Sequence, residues 1–554
     1  DYSGNGNNWT PNNFSVTAGA GNDSLVDSPT SYGTDTGVGG TVRGNYATLN
    51  PLVVFGTSAF TNGNLDVSVS SANTNNFATI AIPTSGKWYW EYQITSVGGG
   101  AFPMAGIIAT GSSALTSNVV YRTNGDKNVD GTGSAYGATY TTTDIIGVAV
   151  DTDGGTVTFY KNGSSQGAIT YATSSGNYSP ALRSNAATDN FTFNFGQRAF
   201  ANTAPSGFKA LCTQNLPTPT IGATTATLAN LYFDATTYTA TGTSQTITNS
   251  GFQPDLVWTK ARSAISSNIL VNSVVGANKY LRSNTTDAET TDANYLTSFN
   301  ASGFSVGSSN YGSGTTMVGW QWKANGSGST NTAGSITSTV SANTTSGFSV
   351  VTYTTTGTAS TVGHGLGATP SMIITKQRNG TTEWYTYSKE IGAGQYLLLN
   401  TTGSATSASV IWNNTSPTST VFSLGSGFGS GETYVAYCFA PVAGYSAFGS
   451  YTGNGSADGP FVFTGFRPAY VMIKNTTLAS AWIVYDNKRN TANAETNYLL
   501  PNSSGAEATL SSLVLDFTSN GFKIRGDQAT INTSNNNYIY ACFAETPLKF
   551  SLAR

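Results

Sequence analysis

Gly251-Phe252-Gln253-Pro254-Asp255-Leu256-Val257-Trp258-Thr259-Lys260 organises the sequence, because it returns twice further on. Gly367-Ala368-Thr369-Pro370-Ser371-Met372-Ile373-Ile374-Thr375-Lys376 and Gly465-Phe466-Arg467-Pro468-Ala469-Tyr470-Val471-Met472-Ile473-Lys474 keep the glycine, the proline, the apolar run and the closing lysine. A second shared element follows each lysine after 20, 20 and 24 residues: Tyr280-Leu281-Arg282-Ser283-Asn284, Tyr396-Leu397-Leu398-Leu399-Asn400 and Tyr498-Leu499-Leu500-Pro501-Asn502. Each unit closes on an aromatic strand, Val318-Gly319-Trp320-Gln321-Trp322, Val435-Ala436-Tyr437-Cys438-Phe439-Ala440 and Ile539-Tyr540-Ala541-Cys542-Phe543-Ala544. Three copies of one β unit therefore fill residues 230 to 546, and about 100 residues apiece is enough for an independent sandwich.

Outward from the repeats, short runs of Val, Ile, Thr, Phe, Tyr and Trp alternate with small polar residues between Gly, Asn, Asp and Ser clusters, the all-β pattern. A chain of 554 residues is several domains. Only 9% of residues are charged, yet no apolar run approaches a membrane-spanning length. The 27 Phe, 29 Tyr and 9 Trp are too many for a chain without a core. A net charge of -3 with no basic block offers nucleic acid nothing to bind. His364 is the single histidine, and Cys212, Cys438 and Cys542 lie far apart, so neither zinc spacing nor a disulfide framework is present. The expectation is no metal and no cofactor.

Between residues 57 and 200, Val148 and Val150 should face Val157 and Phe159 across the turn Asp151-Thr152-Asp153-Gly154-Gly155, with a second tight turn at Asn162-Gly163. The ordered set Trp88-Tyr89-Trp90-Glu91-Tyr92, Asp144-Ile145-Ile146-Gly147-Val148-Ala149-Val150-Asp151, Val157-Thr158-Phe159-Tyr160-Lys161-Asn162-Gly163, Tyr178-Ser179-Pro180-Ala181 and Phe193-Asn194-Phe195-Gly196 resembles the SPRY domain. The resemblance implies a bent, two-sheet, concanavalin-like sandwich that binds or spaces and does not catalyse. The fold class expected is thus all-β, a concanavalin-like SPRY sandwich followed by three tandem β-sandwich-like repeat domains. The segments expected are an N-terminal connecting segment at 1–56, the SPRY-like domain at 57–200, a linker at 201–229, and repeat 1 at 230–324. A Gly/Ser/Thr linker at 325–342, repeat 2 at 343–441 and repeat 3 with the C-terminal tail at 442–554 complete the chain. The opening Asp1 to Trp9 resembles the closing segment of laminin-G-like lectin sandwiches, which implies the end of an upstream domain.

His364-Gly365-Leu366-Gly367-Ala368-Thr369-Pro370, Trp384-Tyr385-Thr386-Tyr387 and Trp412-Asn413-Asn414-Thr415-Ser416-Pro417 resemble an uncharacterised domain of marine bacteriophage structural proteins that often follows a SPRY domain. That resemblance implies a virion component, a tail fibre or other receptor-contacting part, with other virion proteins as partners, a homotrimeric state and a host surface glycan or protein as receptor. The rivals are capsid decoration or a spacer, a glycan depolymerase, and a bacterial adhesin.

Catalysis has little to work with. A Ser-His-Asp triad would have to use His364, which has no counterpart in the other repeats and no G-x-S-x-G nearby. A glycosidase needs two facing carboxylates, for which Glu91, Asp144, Asp151, Asp153, Glu383 and Asp486 are the candidates. Asp151-Thr152-Asp153-Gly154 lacks the remaining ligands of a calcium loop and reads as a turn. Lys260, Lys376 and Lys474 share one repeat position and read as strand-end lysines whose amines reach solvent. Tyr121, Tyr136, Tyr140 and Tyr311, outside the shared patterns, are the candidate ligand-binding residues, since phenol rings stack on sugars and their hydroxyls hydrogen-bond. No catalytic residue is assigned.

Overall fold

The computed structural model describes residues 45–545 except 84, 100–101, 111–114, 116, 172–177, 218–219, 223 and 310. The laminin-G-like opening therefore lies outside the described residues. The chain divides into two compact units at residues 218 and 219.

The first unit is a two-sheet sandwich. One sheet runs Leu49–Phe55, Thr74–Ala78, Tyr178–Ser184, Met104–Ala109, Asn118–Arg122, Asp126–Val129, Thr132–Ala135. The other runs Ser164–Thr170, Thr156–Lys161, Ile145–Asp151, Lys87–Ser96, Asn190–Asn194, Asp66–Val69, Ser58–Thr61. The expected hairpin forms in the expected register, with Val148 opposite Phe159 and Val150 opposite Val157. The Asn162-Gly163 turn has φ of 48° and 82°, the left-handed pair that follows the twist of a two-residue hairpin. Trp88, Trp90, Tyr92, Val148, Val150, Phe159 and Phe193 fill the space between the sheets.

Two expected boundaries move. Leu49–Phe55, assigned to the 1–56 connecting segment, is a strand of the first sheet, and Leu49 is fully buried. Lys209–Ala210, assigned to the 201–229 linker, pairs parallel with Lys87–Ser96, while Tyr46 bridges Cys212. The Asn50-Pro51 pair in the first stretch and the shortness of the second hide them as strands, yet Leu49 and Ala210 are fully buried.

In the second unit each repeat builds a main sheet and a smaller cap sheet. The main-sheet orders are Phe233–Thr239, Thr316–Trp322, Leu256–Ala261, Ile269–Asn272 in the first repeat; Phe348–Thr356, Ser430–Phe439, Met372–Gln377, Tyr385–Ser388 in the second; and Ser446–Thr452, Asn537–Ala544, Pro468–Asn475, Ile483–Asp486 in the third. The topology is the same each time. The lysine strands Leu256–Ala261, Met372–Gln377 and Pro468–Asn475 are buried at every position, which requires cover on both faces. One face meets the cap sheet: Val257 and Ile269 pack with Phe304, and Ile373 and Tyr387 with Phe422. The other face enters a core common to all three repeats, where Trp258, Trp320 and Trp322 join Ile374, Tyr437 and Phe439, and Tyr470, Met472 and Phe543.

The expectation of independent sandwiches is therefore corrected: each repeat owns only one face of its core. The Trp322 ring lies 6.3 Å from that of Phe439 and 5.7 Å from that of Phe543, so one side chain touches all three repeats. The residual void at this meeting point is about 20 Å³ and lined by apolar atoms of every repeat. The 325–342 linker is corrected too, since Ser329–Asn331 and Ser338–Asn343 extend the second main sheet. Alternating Ser, Thr and Val serve an edge strand as well as they serve a linker.

Candidate functional site: carboxylates, tyrosines and the seams between repeats

The six candidate carboxylates each hold a piece of fold. Buried Glu91 accepts hydrogen bonds from Ala201 N at 2.7 Å, Asn202 N at 2.8 Å and the Tyr89 hydroxyl at 3.2 Å, which pins the chain after the last sandwich strand. Asp144 accepts from Thr141 N at 2.8 Å and Asn162 Nδ2 at 2.7 Å. Asp151 pairs with Lys87 at 2.7 Å and accepts from Gly154 N at 2.8 Å; the Lys87 hydrogen bond, with that backbone bond, holds its carboxyl below the ordinary value. Asp153 accepts from Gly86 N at 3.0 Å, Glu383 from Asn400 Nδ2, and Asp486 from Arg489 Nε at 2.6 Å. The Asp151 to Gly154 segment is thus a stapled turn. Among the described residues no three His, Cys, Asp or Glu side chains come together as metal ligands.

His364 is fully buried, its Nδ1 accepting from Leu366 N at 3.2 Å and its Nε2 3.2 Å from Thr418 O. Burial lowers its pKa, and its ring nitrogens meet Leu366 N within its own turn and Thr418 O from a separate segment. Cys212, Cys438 and Cys542 are buried and are not joined in disulfides.

Of the four candidate tyrosines two are buried and two half-buried. Tyr121 lies on the strand Asn118–Arg122, and it and Tyr140 are 0% and 3% exposed; the Tyr140 hydroxyl donates to Tyr121 O at 2.8 Å and meets the Tyr92 hydroxyl at 3.0 Å. Half-buried Tyr136 lies edge-on to Tyr121 at 5.3 Å and donates to Gly167 O. Half-buried Tyr311 donates to Ser267 O at 3.3 Å, and its ring lies 6.3 Å from that of Tyr295. The first three form one cluster and Tyr311 belongs to the other unit. A phenol ring in a polar loop gains by folding back where a carbonyl meets its hydroxyl, and that carbonyl is not visible in local sequence. The large apolar side chains that are exposed are instead Leu52, Val97 and Phe102 in the first unit and Ile265, Val410, Leu478 and Leu510 in the second among the described residues, Ile265 being 81% exposed. A single aliphatic residue in a Ser/Thr loop gives no periodic signal.

The three repeated lysines are corrected: each is 0% exposed. Lys260 donates to Ser266 O at 2.6 Å and to Ser504 O of the third repeat at 2.9 Å. Lys474 donates to Ser480 O at 2.6 Å and to Thr402 O of the second repeat at 2.9 Å. Lys376 stays with Gln377 O at 2.8 Å and Gly380 O at 3.3 Å, while Thr382 N reaches Thr286 O of the first repeat at 3.1 Å. Each repeat thus receives a loop from another, the first from the third, the second from the first and the third from the second, so the contacts close in a cycle. Burial pushes all three amines down to about 8, offset at Lys376 by Asp287 and Glu383.

Eight residues past each lysine a side chain crosses the same seam. Trp384 Nε1 donates to Arg282 O at 2.8 Å, Trp482 Nε1 to Leu398 O at 2.9 Å, and Asn268 Nδ2 to Ser503 O at 2.9 Å. Two seams carry ion pairs, Arg262 with Glu507 at 2.8 Å and Arg378 with Glu289 at 2.7 Å; at the third, Ala405 N meets Thr476 O at 3.0 Å. The seam between the third and first repeats is the most charged. There buried Arg489 bonds Asp486, Val484 O and Glu507, and Asp486 Oδ2 accepts from Trp320 Nε1 at 2.9 Å.

These features define an all-β chain with a SPRY sandwich followed by further sandwich-like units, and the comparisons with known proteins agree. The SPRY domain family model matches residues 87–198. The model described as Domain of unknown function (DUF7483) matches residues 229–547, more than half of the chain and all three repeats, and the chain belongs to that family. Among solved structures it is similar to the SPRY domain of human HERC1, with 18% identity over 26% of this chain and 96% of that one at a TM-score of 0.24. The TRIM65 PSpry domain gives 11% identity over 27% and 90% at 0.22, and stonustoxin 16% identity over 27% and 27% at 0.22. No curated protein matches.

Proposed function

We propose that this chain is a non-enzymatic attachment protein of a bacteriophage virion, a tail fibre or other receptor-contacting component that binds a host surface glycan or protein. The observation that carries the reading is the commitment of all six candidate carboxylates to the fold, which leaves none of them free as the paired acid and base of glycan cleavage. A SPRY domain suggests an interaction module, and the resemblance of the repeats to phage structural domains supports a virion setting. A surface of Thr, Ser, Asn and Gly stays solvated without charge and so is insensitive to salt. Association as a homotrimer and contact with other virion proteins belong to the same proposal.

Immunogold electron microscopy of purified particles, with serum raised against residues 57–200, tests it. Gold on tail tips or radiating fibres is the expected result. Gold spread evenly over the capsid would replace attachment by decoration, and particles without gold would remove the virion setting.

A further inference from the structure

The third repeat differs from the others in its lysine-to-tyrosine spacing, 24 against 20. The four extra residues fall between Asp486 and Tyr498, in the connection that supplies Arg489 and Glu495. Arg489 goes to the seam with the first repeat, its guanidinium 5.9 Å from the Trp320 ring, bonded to Asp486 at 2.6 Å and Glu507 at 3.1 Å. Glu507 in turn pairs with Arg262 of the first repeat at 2.8 Å. Two guanidiniums and two carboxylates already neutralise one another there.

Glu495 is 1% exposed, and among the described residues neither of its carboxyl oxygens has a hydrogen-bond partner. Its backbone is fixed by a bridge to Leu515, with Glu495 N donating to Leu515 O at 2.8 Å. The groups facing it are Asp486, Arg489 and the Tyr485 hydroxyl from the strand Ile483–Asp486 and the loop behind it, Arg467 ahead of Pro468–Asn475, and Asp516 on Leu515–Thr518. The two arginines are already committed, Arg489 to Asp486 and Arg467 to Glu545 at 2.8 Å. A second buried negative charge beside Asp486 has nothing to answer it.

We propose that Glu495 is kept as the neutral acid in the folded protein and that its ionisation is a switch that loosens the seam between the third and first repeats. Burial first, and then Asp486, push its carboxyl up to about 8, against partial opposition from Arg489 and Arg467. Because the folded value lies above the ordinary 4.5, the stabilisation is complete below 4.5 and is lost as pH rises to about 8.

The test compares the full chain with Glu495→Gln, an uncharged isostere, by thermal unfolding from pH 4 to 9. Hydrogen exchange of 262–268 and 503–507 is followed alongside, corrected for intrinsic rates. The native protein should lose melting temperature relative to the variant across that window, and its seam peptides should exchange faster than the variant's at pH 9 but equally at pH 5. The difference between the two proteins cancels the titration of the seam lysines. Parallel pH profiles would overturn the proposal, as would a variant equally destabilised at every pH. If the variant does not fold, the infrared carbonyl stretch of a protonated carboxyl in the native protein decides. A band present at pH 7 that disappears above 8 supports the proposal, and its absence at pH 7 refutes it.

Discussion

The two units put their few charged residues to opposite uses. In the SPRY sandwich Asp144, Asp151 and Asp153 lie at turns, each accepting from a backbone amide, and buried Glu91 pins the chain after the last strand, while Trp88, Trp90, Val148, Val150 and Phe159 fill the space between the sheets. In the repeat unit Lys260, Lys376, Lys474, Asp486 and Arg489 are buried in or beside the joints between repeats. The sandwich closes on itself and needs charge only for local geometry. The repeats must recognise one another, and apolar faces alone specify neither register nor partner. A buried ammonium that reaches a carbonyl of the neighbouring repeat makes the wrong alignment costly.

The largest effect should come from Trp322→Ala. Trp322 touches Phe233, Phe348, Phe439, Tyr470 and Phe543, so about 3–5 kcal/mol of stability should be lost. Chemical denaturation should show that loss in the repeat unit alone, with hydrogen exchange accelerated in all three repeats. Acceleration confined to the first repeat would break the comparison.

Lys474→Met should be next, costing about 1–3 kcal/mol near neutral pH through the bonding lost at Thr402 O and Ser480 O. Its folded value of about 8 lies below the ordinary 10.5, so between them the unfolded chain holds the extra proton. The native protein should therefore gain stability relative to the variant as pH rises from about 8 to 10.5, read from denaturant midpoints. A flat difference would mean that the amine is solvated.

Glu91→Gln tests the other half of the comparison. It keeps the shape but gives up charge-assisted bonds to Ala201 N and Asn202 N, at about 1–2 kcal/mol, and exchange should rise at 199–203 with the repeat unit unchanged. Glu289→Gln should have the smallest effect, about 1 kcal/mol or less, since the Arg378 pair is partly exposed and Trp384 still crosses that seam.

How far the sequence could be read follows from where each partner lies. The hairpin of Val148, Val150, Val157 and Phe159 was legible because its partners are a few residues apart. The repeat count was legible as well, and the unbroken run Tyr470-Val471-Met472-Ile473 carries the mark of two-sided burial. What covers the second face could not be read, because the cover of one repeat is the sheet of another, 100 or more residues away. The lysines stood out by position, but their role did not, since Ser504 O and Thr402 O come from other repeats. The extra four residues of the third repeat were countable, whereas the destinations of Arg489 and Glu495 depend on the seam they meet. The burial of Tyr121 and Tyr140 was hidden for the same reason: their partners, Ala138 O and the Tyr92 hydroxyl, lie across the cluster.

Scanning calorimetry of residues 219–548 tests most directly whether three repeats share one fold. The shared core of Trp258, Trp322, Phe439 and Phe543 and the cyclic seams predict a single transition whose calorimetric and van't Hoff enthalpies agree, and an isolated second repeat, 343–441, without cooperative unfolding. Three separable transitions, or a second repeat that folds alone with the stability it has in the whole, would contradict the account.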